Sequence, residues 1–318
     1  MANVTAFGPI TEHTPLKPAI EAWQAYLRDS GRSPHTIKAF MSDMRLLASF
    51  LPPDKTLGQI STQDLERFLD WLQHGRGVPC SPKSLARRIT TLKAFFRWLH
   101  QYGVLAHDPA ASLVQRSVTT PLPAVLTPVE RTRVLQVADA MRRGPKPDAR
   151  PYTLLALLLE TGLKKGEVLN LYLPHIVADD PERAYLFVRY TDPRYRYKER
   201  RISLSPQWVE AYHEYLAQYQ PIDRVFPWSP RRLEYILEDI GKRAGLGRRL
   251  SFAMCRWTAA LTDWRRGMPP EELQRKLGLS DIQWRDVKRR LAQLDQAIPP
   301  EPDGDKKAHE PTDASVDV

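Results

Sequence analysis

Across 318 residues, 47 Lys and Arg against 37 Asp and Glu leave a net charge of +10, a surplus that points to a polyanionic partner, most often nucleic acid. Two cysteines far apart in the chain, Cys80 and Cys255, argue against a disulfide framework or a Cys-based metal site, and no residue cluster implies a metal or a cofactor. No apolar run approaches the ~18 residues of a membrane span, and the N-terminus lacks a charged-then-apolar signal pattern, so the expectation is a cytoplasmic protein of two domains with no membrane contact.

Residues 1–15 are polar and read as a flexible N-terminus. Four helical patterns follow. The first runs from about Pro18 to Ser30, with Ile20, Trp23, Tyr26 and Leu27 on one face. The second opens at Ser33-Pro34, a capping side chain followed by proline at the first helical position, and carries Ile37, Phe40, Met41, Met44, Leu47 and Leu51. The third starts near Ser61-Thr62, and the fourth repeats the cap at Ser81-Pro82 and stops at Gly103. Its apolar face is Leu85, Ile89, Leu92, Phe95, Phe96 and Leu99, and its polar face is Arg87, Arg88, Lys93 and Arg97. Those four cations are candidate phosphate contacts along a DNA groove, with a merely solvated face as the competing reading. The block predicts a four-helix domain over residues 16–115.

Residues 116–124 lack apolar periodicity, hold two prolines and read as a linker. A helix begins after Thr127, with Glu130 placed for a capping box, and a second domain is expected over 125–296. Its centre is Tyr152 to Val177, where the apolar run Leu154 to Leu159 ends at Thr161-Gly162 and a short amphipathic turn follows, with Lys164 at the junction. Strand-like runs at Tyr185 to Tyr190 and Arg201 to Leu204 flank a cation-dense turn holding Arg194, Arg196 and Lys198, which is either a phosphate contact or a charged edge that stays soluble. Helices are expected at about Ser205 to Tyr219 and Pro230 to Arg243. The segment 297–318 is Pro-rich and acidic and reads as a disordered tail. The fold class is therefore mainly α with a small β-hairpin or sheet.

Several of these stretches together resemble the tyrosine recombinases, the phage integrase family. Thr161-Gly162-Leu163-Lys164 through Glu167 looks like the TGLR-x-x-E box, with Lys164 where the family has the arginine that grips the scissile phosphate. Ser33 to Ile37 and Leu92 to Leu99, the latter followed by Asp108-Pro109, look like the opening and ending of the family's core-binding domain. Setting Lys198-Glu199-Arg200 on the family's K-E-R places its general-acid lysine at Tyr195. In Ser251 to Leu261, Arg256 and Thr258 fit the H-x-L-R-H-T motif, but its first His is Ala253 and the residue after the arginine is Trp257. Leu277 to Ser280 fits L-G-H-S with Leu279 in place of His, and the nucleophile position nine residues on is Lys288.

The resemblance implies a SAM-like core-binding domain followed by an α+β catalytic-type domain, together forming a clamp on double-stranded DNA beside a second copy or a partner recombinase. It also implies a degenerate catalytic site. Phosphodiester cleavage needs a nucleophile, a general acid and donors for the transition-state charge. No His lies between His213 and His309 and no Tyr follows Tyr235, so no shift of alignment restores either group. Three readings stand. The first is a DNA-binding protein that does not cleave and serves recombination or integration in an accessory, architectural or regulatory role. The second is an active recombinase with a remodelled nucleophile, for which Tyr195 and Tyr197 are the candidates. The third is a protein-interaction module that no longer binds DNA. Retained cations at Lys164, Arg256 and the 194–200 turn favour the first.

Overall fold

The computed structural model describes residues 9–114 and 121–298. Most of the expected linker and all but the first two residues of the expected acidic tail lie outside the described residues. The chain divides into two compact units, Met1–Thr120 and Pro121–Val318.

The first unit is built from α1 (Leu16–Asp29), α2 (Pro34–Phe50), α3 (Thr62–Asp70) and α4 (Pro82–Gln101). The Ser-Pro pairs act as read. Ser33 Oγ accepts the Thr36 amide at 3.1 Å and Ser81 Oγ accepts that of Ser84 at 3.2 Å, so each helix starts with one of its orphan donors satisfied. The third helix continues past Asp70 as a wider π turn, Trp71–Gly75. Inward faces meet in an aromatic core, where Trp23 stacks on Phe40 at 5.4 Å and meets Phe95 edge-on at 5.2 Å. Two charged residues break the apolar rule, Asp64 and Asp43. Asp43, on the buried side of α2, is sealed from water and accepts from Thr91 Oγ1 at 2.9 Å and from Arg87.

The second unit opens with α5 (Pro128–Arg143), where Thr127 and Glu130 form the expected capping box. It is centred on α6 (Arg150–Thr161), which is apolar on nearly every side, as a helix enclosed by others must be. Gly162, at φ +64°, closes it in the left-handed region, and an added Cβ there would lie 3.1 Å from Leu277 Cδ2. The short α7 (Lys165–Leu169) follows. Strands β1 (Ile176–Val177), β2 (Tyr185–Val188) and β3 (Arg200–Ser203) make an antiparallel sheet in the order β1-β2-β3, with Leu186 opposite Ile202 and Val188 opposite Arg200. β2 ends two residues earlier than its sequence suggests, because the β2–β3 connection winds into a 3-10 helix, Pro193–Lys198, whose first turn Asp192 caps, and β3 is shifted one residue back from the expected run. Helices α8 (Pro206–Tyr219), α9 (Pro230–Arg243) and α10 (Phe252–Arg265) complete the layer around α6. The short α11 (Pro270–Lys276) and α12 (Asp281–Ala297) pack with α10 through Leu261, Leu273, Trp284 and Leu291. No helix among the described residues is long and apolar enough to cross a membrane.

Candidate nucleic-acid interface

Closing α6 in the left-handed region turns the chain so that Lys164 becomes the N-cap of α7. Its backbone amide donates to Glu167 Oε2 at 2.8 Å, and its Nζ donates to the Gly278 carbonyl at 3.1 Å. Burial lowers the ammonium's pKa to about 8, and the nearby charges of Arg256, Lys198 and Arg200 push the same way against Glu167. The first turns of α10 bring Arg256 to the same place. Its guanidinium donates to the Gly162 carbonyl and, at 2.6 Å, to that of Leu277. Burial draws its pKa down to about 10, which leaves it charged at neutral pH.

Arg200, at the start of β3, completes the cluster and was assigned no role in the sequence. Its fork takes both oxygens of Glu167 at 3.0 Å, while its Nε donates to the Lys276 carbonyl at 2.6 Å. Burial alone would raise the Glu167 carboxyl, but the Arg200 fork and the Tyr190 hydroxyl outweigh it and hold the pKa at about 2. Three successive carbonyls, Lys276, Leu277 and Gly278, are thus taken by Arg200, Arg256 and Lys164, each from a different element. These are the unpaired acceptors at the end of α11, where the helix dipole favours positive charge. The available signals were the glutamate of the Lys164 box and the arginine of Lys198-Glu199-Arg200. The acceptors, being backbone, left no trace in the sequence.

Lys164, Ala253 and Arg256 line one open cleft of about 430 Å³ with Lys165, Arg249 and Ser251. Its edge is already partly neutralised, since Glu234 accepts from Lys165 at 2.9 Å and pairs with Arg249 at 3.4 Å. Lys198 reaches over the rings of Tyr195 and Tyr197, at 5.0 and 5.2 Å from their centres. Both tyrosines are exposed on the 3-10 turn, with Arg194 paired to Asp192 at 2.7 Å. Arg196 instead lines a neighbouring cleft of about 590 Å³ with Tyr172, His175 and Arg189. Leu279 packs into the α10–α12 cluster, and Lys288 is exposed on α12.

In the first unit, two of the four cations on the polar face of α4 also answer a buried charge. Arg87 pairs with buried Asp43, and Arg88 Nε lies 3.5 Å from the same carboxylate while its fork meets Cys80. Both are counter-charges to Asp43, Arg87 from an exposed position and Arg88 from a largely buried one, because a carboxylate taken from water must find partners. Lys93 Nζ donates to the Ala111 carbonyl at 3.2 Å, and Arg97 is exposed.

A model of the phage integrase N-terminal SAM-like domain matches residues 20–103, and a model of the phage integrase family matches residues 125–286. The chain belongs to the tyrosine recombinase family. The tyrosine recombinase XerC of Mycobacterium bovis is 29% identical over 203 residues, which are 63% of this chain and 65% of that protein. XerC of Chromobacterium violaceum is 32% identical over 162 residues, 51% of this chain and 52% of that one. The chain thus spans just under two thirds of the first relative's length and about half of the second's. A crystal structure of a lambda integrase dimer bound to a COC′ core site matches with a TM-score of 0.67 at 18% identity, over 86% of this chain and 77% of that one. The XerH site-specific recombinase bound to palindromic difH substrate matches with a TM-score of 0.68 at 16% identity, over 89% and 82%. At these identities the likeness shows the shared fold.

Proposed function

We propose that this protein binds duplex DNA on a tyrosine recombinase scaffold without cleaving it, and acts in recombination or integration as an accessory, architectural or regulatory component. One observation carries the reading. The position from which the family's nucleophile attacks is Lys288, an exposed lysine on α12, and no tyrosine follows Tyr235. A covalent phosphotyrosyl intermediate needs a hydroxyl within ~3–3.5 Å of phosphorus. A lysine side chain has no hydroxyl to offer for that step. Support for DNA binding comes from the cleft at Lys164 and Arg256 and from the company the chain keeps, since the lambda integrase and XerH structures hold DNA. A second copy of this chain or a partner recombinase on the same DNA fits the family's habit.

The test is a suicide substrate, a bound site nicked so that cleavage traps the protein, run on a denaturing gel. No covalent band is expected from the native protein or from Lys288→Tyr, because both histidine positions are apolar and the general-acid position is Tyr195. A covalent band that disappears in Tyr195→Phe or Tyr197→Phe would replace this reading with a remodelled recombinase.

A further inference from the structure

The C-terminal end of α10 carries a further charged cleft, apart from the residues of the DNA reading. It holds about 450 Å³ and is floored by Tyr152, Leu159 and Trp208. Two arginines face it, Arg131 from α5 and Arg266 at the C-terminus of α10. Among the described residues neither side chain makes a hydrogen bond or an ion pair, and Arg131 Nε is shut away from solvent with no acceptor. Arg131 as a whole is half-buried, so the cost falls on that one sealed donor, which is left without a hydrogen-bond partner. Burial pushes the Arg131 pKa down and the like charge of Arg266 adds to it, against Asp263 and Glu160.

The two carboxylates in the cleft do not supply the missing acceptor. Glu160 accepts from the Ser205 amide at 2.5 Å and the Ser205 hydroxyl at 3.0 Å, and Asp263 accepts from Lys276 Nζ at 2.6 Å. What remains is a pair of unmatched guanidinium forks lining the cleft, with Ser203 and Thr262 among its other lining residues. Planar forks of this kind recognise groups bearing two or more oxygens. The volume falls within the usual range for small-molecule sites and exceeds what one inorganic anion fills.

We infer that this cleft is a binding site for a small oxyanion, in which Arg131 and Arg266 together hold one phosphate or carboxylate group of a compact polar molecule. The ligand supplies the acceptor that Arg131 lacks and separates the two like charges. Its occupancy is independent of DNA.

Calorimetric titration of the full chain with inorganic phosphate and with succinate, at ionic strength held constant with sodium chloride, tests this. One saturable site is expected, tighter for phosphate if the natural group is a phosphate and tighter for succinate if it is a carboxylate. Arg131→Gln should weaken binding at least about tenfold, the loss of a bidentate charge-assisted contact. Arg266→Gln, at an exposed position, should weaken it in the same direction and keeps the test open if Arg131→Gln does not fold. Lys164→Gln should leave it unchanged. The inference fails if neither anion binds beyond chloride, or if Arg266→Gln changes nothing. It fails equally if Lys164→Gln alone abolishes binding, which would place the anion in the other cleft. Loss of DNA affinity in Arg266→Gln, matching its loss of phosphate affinity, would make the pair a DNA backbone contact and overturn the small-molecule site.

Discussion

Asp43 governs what Arg87 can be used for. Its side chain is 3% exposed, whereas that of Arg87 is 42% exposed. Breaking a fully buried pair by removing one partner costs ~3–5 kcal/mol, but solvent screening at Arg87 and the second cation at Arg88 reduce this to about 1–2 kcal/mol for Arg87→Gln. Urea unfolding should show that loss, while Arg97→Gln stays within about 0.5 kcal/mol. Pairing Arg87→Gln with Asp43→Asn should recover most of it. Equal stability of Arg87→Gln and the native protein would return Arg87 to the solvated face that its spacing suggests. Lys164 makes the second residue-scale prediction. Its pKa near 8 lies below the ordinary value of 10.5, so between those pH values the folded state binds fewer protons and stability rises with pH. Attraction for phosphate runs the other way. As pH rises through about 8 the ammonium is lost and affinity for duplex DNA should fall severalfold, a profile that Lys164→Arg should flatten. A native protein whose affinity is constant between pH 7 and 9 would mean that Lys164 does not face the DNA.

At the scale of the element, α11 ends where Gly278 sits at φ +56°, and a Cβ there would approach Arg200 Nη1 to 2.6 Å. Gly278→Ala therefore combines the left-handed cost of about 1 kcal/mol with displacement of a fork that holds buried Glu167. A total destabilisation of at least about 2 kcal/mol is expected, with a weaker DNA complex because Arg200 shares the 276–278 carbonyls with Lys164 and Arg256. Thermal unfolding of the variant checks it, and an unchanged melting temperature would show that Arg200 can retreat freely. This is also where the sequence stopped being readable. The helices were legible, since apolar spacing and the Ser-Pro caps at Ser33 and Ser81 are local properties of the chain. So was the departure at Lys164, Ala253, Leu279 and Lys288, because each stands in a recognisable motif. The arrangement that joins Lys164, Arg256 and Arg200 was not legible, because its acceptors are peptide carbonyls of residues 276–278 that every sequence possesses. Asp43 was invisible for a related reason. A lone acidic residue among apolar positions shows its burial only once α4 lies against α2.

For the whole molecule, the +10 charge sets an expectation about salt. Each phosphate neutralised releases counterions, so log affinity for duplex DNA should fall linearly with log salt at about −0.9 per contact. A slope between about −4 and −8 is expected if both units contribute, by the same scaling. Residues 1–120 and 121–318, expressed separately, should each retain a shallower slope. A flat response for the intact chain would leave the basic surface as a solubility feature and favour a protein partner.

The three cations gathered on the end of α11 also bear on how such a chain diverges from its relatives. A side chain that grips backbone carbonyls is kept by selection for a folded protein, whether or not a reaction is performed beside it. Arg256, with two carbonyl contacts, and Lys164, with one, are held in place by the fold whether or not cleavage occurs beside them. An arginine at the Arg256 position in a related chain is therefore by itself no evidence that the chain cuts DNA.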